Sequence, residues 1–188
     1  MALCLVGSEM CIRDRAKGDL LIKNFDPKLI KTELNILKKV GAKIKLFKNS
    51  IHIKGPEKIK SIRNITTKEY PGFPTDLAPQ FMVLLCKASG TSSITENIFQ
   101  GRFLHAMELQ RLGAKITIKN RTAKIEGNTN FIAAEVMSSD LRASAALVLA
   151  GIVSKGNTVV TRVYHCDRGY ENFENKLKKI GVKIKRLK

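Results

Sequence analysis

Tryptophan is absent, and aromatic residues make up only 6% of the 188-residue chain. That leaves few side chains on which the bases of single-stranded nucleic acid could stack. No apolar run reaches the ~18 residues a membrane-spanning helix needs, which predicts a soluble protein with no membrane partner. The four cysteines, Cys4, Cys11, Cys86 and Cys166, have neither paired nor metal-ligand spacing. This speaks against a disulfide scaffold and suits a reducing cytoplasm. His52, His105 and His165 are too scattered for a metal site and read as structural or surface residues. No Walker loop, GxGxxG fingerprint, zinc pattern or nucleophile elbow is present.

Acidic residues are also scarce. Sixteen Asp and Glu stand against 34 Lys and Arg, a net charge of +18. Such a field favours anionic partners: nucleic acid, phosphorylated metabolites or an acidic surface. Its distribution argues against a dedicated nucleic-acid arm, because lysines are spread through KIKLFK, KGPEKIK, KLKKI and KIKRLK. GRF at 101–103 does not continue into an RNA-reading signature. Hydrophobic content of 44% places the chain among globular and not disordered sequences. Its length fits one ordinary domain with a real core.

The first fifteen residues, MALCLVGSEMCIRDR, differ from the rest. They resemble translated sequencing-adapter read-through, with SEMCIRDR as its recurrent part. A secretory signal would need a basic stretch ahead of a 7–15-residue apolar core, and neither is present. Residues 1–15 are therefore expected to be a non-native prefix, with native protein extending upstream.

One phrase recurs three times: LNILKKVGAKIKLF at 34–47, LQRLGAKITI at 109–118 and LKKIGVKIKRL at 177–187. Each predicts an amphipathic helix ending at a glycine (Gly41, Gly113, Gly181) and a short alternating strand. Glycine there fits a left-handed helix stop. Ile30, Leu34 and Leu37 fall on one helix face. Ile44/Leu46 and Ile116/Ile118 alternate with polar residues, predicting one buried and one wet strand face. The repeat is longer still, since residues 74–103 parallel 138–170. Asp76 then matches Asp140, Gly90 matches Gly156 and Arg102 matches Arg168, at offsets of 64, 66 and 66. A period near 70 residues is too long for a solenoid and predicts one α/β domain of βαβαββ units. LAPQFMVLLCKAS and LRASAALVLAGIV are apolar almost all round, so they should be central helices. Pro79 is tolerable in the first turn of the former, and Cys86 within it reads as core.

Several polar residues sit where chemistry and structure compete. Asp76 follows Thr75 at a helix start, and Asp140 follows Ser138 and Ser139 at another. An acid there is expected to cap the free N–H groups. Arg142 fits either an ion pair or a phosphate or carboxylate site beside those N–H groups. Arg168, in HCDRGYE, fits either a turn-stabilising salt bridge or a loop arginine facing a phosphorylated substrate. Cys166 beside His165 is not a catalytic pair, since side chains adjacent on a chain point apart. Spacing alone reaches no further than a basic α/β repeat domain with acids at helix starts and arginines in loops.

PGFPTD at 71–76, TENIFQGRFLHAMELQRLGA at 95–114, DLRASAALVLAG at 140–151 and VYHCDRGYENFENKLKKIGVKI at 163–184 carry a family resemblance. Long and in order, they resemble the C-terminal part of the enolpyruvyl (carboxyvinyl) transferases that act on UDP-N-acetylglucosamine. The resemblance runs over about residues 16–188. The shikimate-pathway enolpyruvyl transferases share the fold, but DLRAS and DRGYE fit the amino-sugar enzymes better. The resemblance implies an inside-out α/β barrel: βαβαββ units around a pseudo-threefold axis, helices inside. Residues 16–188 would form two full units and part of a third, and a second domain would lie upstream. It implies transfer of enolpyruvyl from phosphoenolpyruvate to the sugar 3-hydroxyl, the first committed step of peptidoglycan synthesis in the bacterial cytoplasm, without cofactor or metal. Asp76 would be the general base, Ile98 a backbone contact to the nucleotide sugar and Arg168 a phosphoenolpyruvate ligand. Asp140 and Arg142 would lie near the reacting centre, and Arg102 in the cleft. The family's reactive cysteine loop and phosphoenolpyruvate-holding lysine belong to the other half. This chain alone is therefore expected to be inactive, with exposed strand edges and poor solution behaviour. The competing reading is a non-enzymatic, basic RNA-binding module.

Overall fold

The computed structural model describes residues 18–187. The expected prefix at 1–15, with Cys4 and Cys11, lies outside the described residues.

The three recurrent phrases fold alike. Helices α1 (Lys31–Lys39), α3 (Leu104–Arg111) and α6 (Phe173–Lys179) stop at Gly41, Gly113 and Gly181, whose φ angles are 107°, 95° and 91°. In each, the glycine N–H donates three residues back: to Lys38, Gln110 and Lys178, at 3.0, 2.9 and 3.0 Å. The next residue's N–H reaches five back: to Leu37, Leu109 and Leu177, at 3.0, 3.0 and 3.1 Å. This is the Schellman closure, which glycine enters without a Cβ clash. Those three leucines are fully buried and act as the apolar clasp that accompanies the motif. The predicted face of α1, with Ile30, Leu34 and Leu37, is buried as well.

Strands β1 (Asp19–Lys23), β2 (Lys43–Phe47) and β3 (Ser50–Lys54) make an antiparallel sheet in the order β1-β3-β2. A second sheet joins β4 (Ile65–Thr66), β5 (Thr91–Thr95), β6 (Lys115–Lys119) and β7 (Thr122–Glu126) in the order β4-β5-β7-β6. The third pairs β8 (Glu135–Met137) with β9 (Val159–Thr161). Between β4 and β5 runs α2 (Ala78–Cys86), and between β8 and β9 runs α4 (Leu141–Val153). Both strand pairs are parallel, as a helical crossover requires. The α/β repeat inferred from the offsets is thus a repeat of topology.

All nine residues of α2 are buried, and so are residues 143–150 of α4. The two helices pack against each other at the centre, as their all-round apolarity requires. Phe73 packs edge-on against Phe81 of α2, with ring centroids 4.9 Å apart. Pro79 falls in the first turn of α2, and Cys86 is fully buried.

Two strand expectations need correction. Leu46 and Ile118 are 53% and 44% exposed. They stand on β2 and β6, each at the edge of its sheet, where only the inner neighbour is fully covered. The other halves of the two pairs follow the expectation, with Ile116 of β6 buried and Ile44 of β2 half-buried, while the inner strands bury both of their apolar positions: Ile51 and Ile53 of β3, Ala123 and Ile125 of β7. The third recurrent phrase forms its helix and glycine stop but no strand over 182–187. In the first two copies that strand pairs with the one that follows it, β2 with β3 and β6 with β7. In the third copy no following strand is described, so its ladder hydrogen bonds have no partner. The middle copy, from β4 to β7, is a complete βαβαββ unit. The third continues through β8, α4, β9, the single turn α5 (Tyr164–Asp167) and α6.

Candidate active site

Asp76 lies in a one-turn 3-10 helix, Thr75–Leu77, that leads into α2. The cap expected of it is not made. The N-cap positions of this turn and of α2 fall on Pro74 and Leu77, neither with a side-chain cap bond. The Asp76 carboxylate instead faces out, 66% exposed, and meets two arginines. Arg142 Nε donates to Asp76 Oδ1, and Arg102 Nη1 stands 3.7 Å from the same oxygen.

Asp140, the repeat partner of Asp76, does cap its helix. Its Oδ1 accepts from the N–H groups of Arg142 and Ala143 at 2.8 and 3.2 Å. Burial pushes its carboxyl up, but those two bonds, the Ser139 hydroxyl and the Arg142 charge outweigh it and hold it below the ordinary range. Arg142 Nη1 lies 3.7 Å from Asp140 Oδ1, so Arg142 bridges the two acids of successive units. The ion-pair reading of Arg142 holds.

The Arg102 guanidinium sits over the Phe99 ring, 4.1 Å from its centroid, within cation–π range. Its Nη1 is buried without a hydrogen-bond partner. Phe99, Arg102, Leu104, Met107, Ile118 and Arg121 help line an open cavity of about 450 Å³ beside the cluster. A hollow of about 510 Å³ lined by Asn172, Asn175, Lys176 and Lys179 holds none of the predicted residues, and only the first adjoins the charged cluster.

Ile98 is half-buried, and its N–H donates to Glu96 Oε1 at 2.8 Å. The backbone group that position can offer a ligand is therefore its carbonyl. Arg168 follows α5 and is exposed. It forms no ion pair among the described residues. The salt bridge expected of its turn belongs to Asp167, which binds Arg186, with an Nη1–Oδ1 distance of 2.9 Å. That turn presses on the start of α4: a Cβ built on Gly169 would lie 2.8 Å from Leu141 Cδ1. The structure thus joins Asp76, Arg102, Asp140 and Arg142 directly. It ties the Ile98 N–H to Glu96 and packs the turn that carries Arg168 against Leu141 at the start of α4.

Sequence reasoning overlooked Glu96, Gln80 and Tyr170. Gln80 is fully buried in α2. In its satisfied orientation its amide donates to the carbonyls of Asp76 (3.0 Å) and Leu77 (3.3 Å) and accepts from the Tyr170 hydroxyl at 3.2 Å. It therefore fastens the Asp76 turn to the segment that carries Arg168. The one signal was a lone amide in an apolar helix, which must find partners.

The cluster alternates two carboxylates and two guanidiniums at the rim of a cavity. Guanidiniums can grip phosphate or carboxylate, and an exposed carboxylate can take a proton from a bound hydroxyl. Among the described residues no helix is long and apolar enough to cross a membrane, and no group of three or more His, Cys, Asp or Glu is placed to hold a metal ion.

The chain resembles known proteins in both sequence and fold. The chain is 60% identical over 171 residues to the UDP-N-acetylglucosamine 1-carboxyvinyltransferase of Pelagibacter ubique (strain HTCC1062), covering 91% of this chain and 41% of that protein. It is 49% identical over 181 residues to the protein of that name from Desulfosudis oleivorans (strain DSM 6200 / JCM 39069 / Hxd3), covering 96% and 43%. The chain thus spans about two fifths of the curated relatives it matches. The enolpyruvyl transferase NikO from Streptomyces tendae superimposes with a TM-score of 0.86 at 23% identity, over 97% of this chain and 43% of that one. EPSP synthase from Acinetobacter baumannii does so at 0.78 and 18%, over 100% and 47%. These likenesses bear out the enolpyruvyl transferase fold expected from the motifs. A family model described as EPSP synthase (3-phosphoshikimate 1-carboxyvinyltransferase) matches residues 15–177, so it takes in every strand, every candidate residue and all but the end of the last helix, and the chain belongs to that family.

Proposed function

We propose that the chain is the part of a UDP-N-acetylglucosamine 1-carboxyvinyltransferase that supplies the general base and the arginines around it. The observation that carries this reading is the 60% identity to a relative of that name. The shikimate-type alternative has weaker support, since the EPSP synthase compared is only 18% identical. In the proposed reaction Asp76 accepts the proton of the sugar 3-hydroxyl, and the oxygen attacks C2 of phosphoenolpyruvate. A proton adds to C3, giving a tetrahedral ketal. Loss of a methyl proton and departure of phosphate then leave the enolpyruvyl ether. Arg142, Arg102 and Arg168 face the phosphate and carboxylate charges. For Asp76 to act as base, Arg142 must turn from it toward the incoming anion. That exchange is one charge partner for another, so it costs little. The site needs no metal or cofactor for this chemistry. The lysine and the reactive cysteine loop would come from an N-terminal half, and the reaction would serve peptidoglycan synthesis in the bacterial cytoplasm.

The test is UDP-N-acetylglucosamine titrated into the 15N-labelled chain. Shifts at Asp76 and Ile98 that disappear in Asp76→Ala are expected, with no phosphate released from phosphoenolpyruvate by this chain alone. Salt-sensitive RNA binding that survives Asp76→Ala and Arg168→Ala, without nucleotide-sugar shifts, would overturn the reading in favour of a binding module.

A further inference from the structure

Behind the cluster lies a buried carboxylate without a part in the reaction proposed. Glu96 is 2% exposed and closes β5. Its Oε1 accepts from the Thr67 hydroxyl (2.8 Å), the Ile98 N–H (2.8 Å) and the Phe99 N–H (3.1 Å). Its Oε2 accepts from the Thr75 hydroxyl at 2.6 Å. The Thr67 oxygen in turn accepts from the Asn97 N–H at 2.9 Å. Three separate segments therefore converge on one side chain: the chain leaving β4, the turn that carries Asp76, and the loop that carries Ile98 and the Phe99 ring under Arg102.

The geometry points to Glu96 as a positioning residue that sets the Asp76 carboxylate against the Ile98 backbone. Thr75 is the residue next to Asp76, so the Thr75–Glu96 bond holds the one turn on which Asp76 rides. The other oxygen holds the two peptide groups that present Ile98 and Phe99. Burial pushes the Glu96 carboxyl up, but the bonds from Thr75, Thr67, Ile98 and Phe99 together hold it below the ordinary glutamate value, so the clamp is ionised at neutral pH. A buried charge is weak evidence of stabilisation, because an apolar replacement of similar volume is often as stable. What an apolar side chain cannot do is tie four donors from three segments to fixed points. The inference rests on the function proposed above only in taking Asp76 as the group whose placement matters.

The variants Thr75→Val, Thr75→Ser and Glu96→Ala of the full chain test it, with wild type as reference. The first readout is the Nε–H resonance of Arg142, which reports its bond to Asp76. The second is hydrogen exchange at the Ile98 and Phe99 amides. Thr75→Val should lose the Arg142 resonance while keeping both amides protected, and Thr75→Ser should restore it. Glu96→Ala should lose the resonance and speed exchange at both amides at least about tenfold. A valine variant that keeps the Arg142 resonance at its wild-type shift overturns the inference, and Thr75→Val and Thr75→Ser decide the matter even where Glu96→Ala does not fold. Neither readout requires ligand. Absence of nucleotide-sugar shifts in wild type would count against the proposed function alone and leave the Glu96 result to stand.

Discussion

Lowering the pH from 7 toward 4 should destabilise the chain through His105, and the size of the effect can be worked out. His105 is 3% exposed, and its Nε2 has no hydrogen-bond partner. Burial disfavours the imidazolium. The nearby Asp140 charge and a ring bond to the Arg102 backbone push the other way, and the balance leaves the pKa down at about 4, from an ordinary 6.5. Above 6.5 the ring is neutral in both states and the folded chain has its full stability. Between 6.5 and about 4 the unfolded chain binds a proton that the folded chain refuses. Stability then falls by ~1.4 kcal/mol per pH unit, about 3 kcal/mol across the window. The chain has no tryptophan, so unfolding in urea is best followed by far-UV circular dichroism. His105→Leu keeps an apolar side chain at the site and removes the titration. Its stability should fall less than that of wild type from pH 7 to 5, and the difference between the two curves is the His105 contribution. Glu33, raised by burial, and Asp140 and Glu96, both lowered, titrate in both proteins and cancel in the difference. Parallel wild-type and His105→Leu curves would refute the reasoning, since they would mean that His105 is protonated, or hydrated, inside the fold.

Gly127→Ala should cost upwards of about 3 kcal/mol in the same urea assay. Its Cβ would lie 1.8 Å from the Ala88 carbonyl oxygen and 2.6 Å from that of Gly90, both backbone atoms that cannot swing aside. The Cys86 thiol, fully buried and pushed up to about 12 by burial despite a bond to Thr129, should resist alkylation at pH 8 in the native chain and react only on unfolding. Mass-spectrometric mapping of the labelled cysteine checks this.

The parts of the fold legible in the sequence are those set by short-range rules. Gly41, Gly113 and Gly181 mark helix stops because a left-handed residue after a helix favours glycine wherever the helix sits. The two central helices are legible because no face of α2 or α4 is polar enough to meet water. Asp140 is legible as a cap because the bond it makes is to its own helix. Asp76 shows where such rules stop. It occupies the same repeat position, but it lies within a 3-10 turn that leads into α2 and does not stand at the helix N-cap, and Arg142, 66 residues away in the chain, offers its carboxylate a charged partner.

The remaining misses are of the same kind. Leu46 and Ile118 alternate like buried residues but lie on edge strands, and strand order is not written in alternation. Residues 182–187 repeat a strand pattern, but no strand pairs with them among the described residues. Glu96, Gln80 and Tyr170 are ordinary letters in the sequence, and they become functional candidates only when donors from distant segments surround them. Local propensity, apolar pattern and motif order carried the fold class, the repeat and the family, because each depends on residues a few positions apart or on long ordered matches. Which carboxylate caps and which faces the arginines, and which buried acid ties the site together, depend on contacts across 21 to 90 residues. Those contacts exist only after the central helices have packed and brought the units side by side.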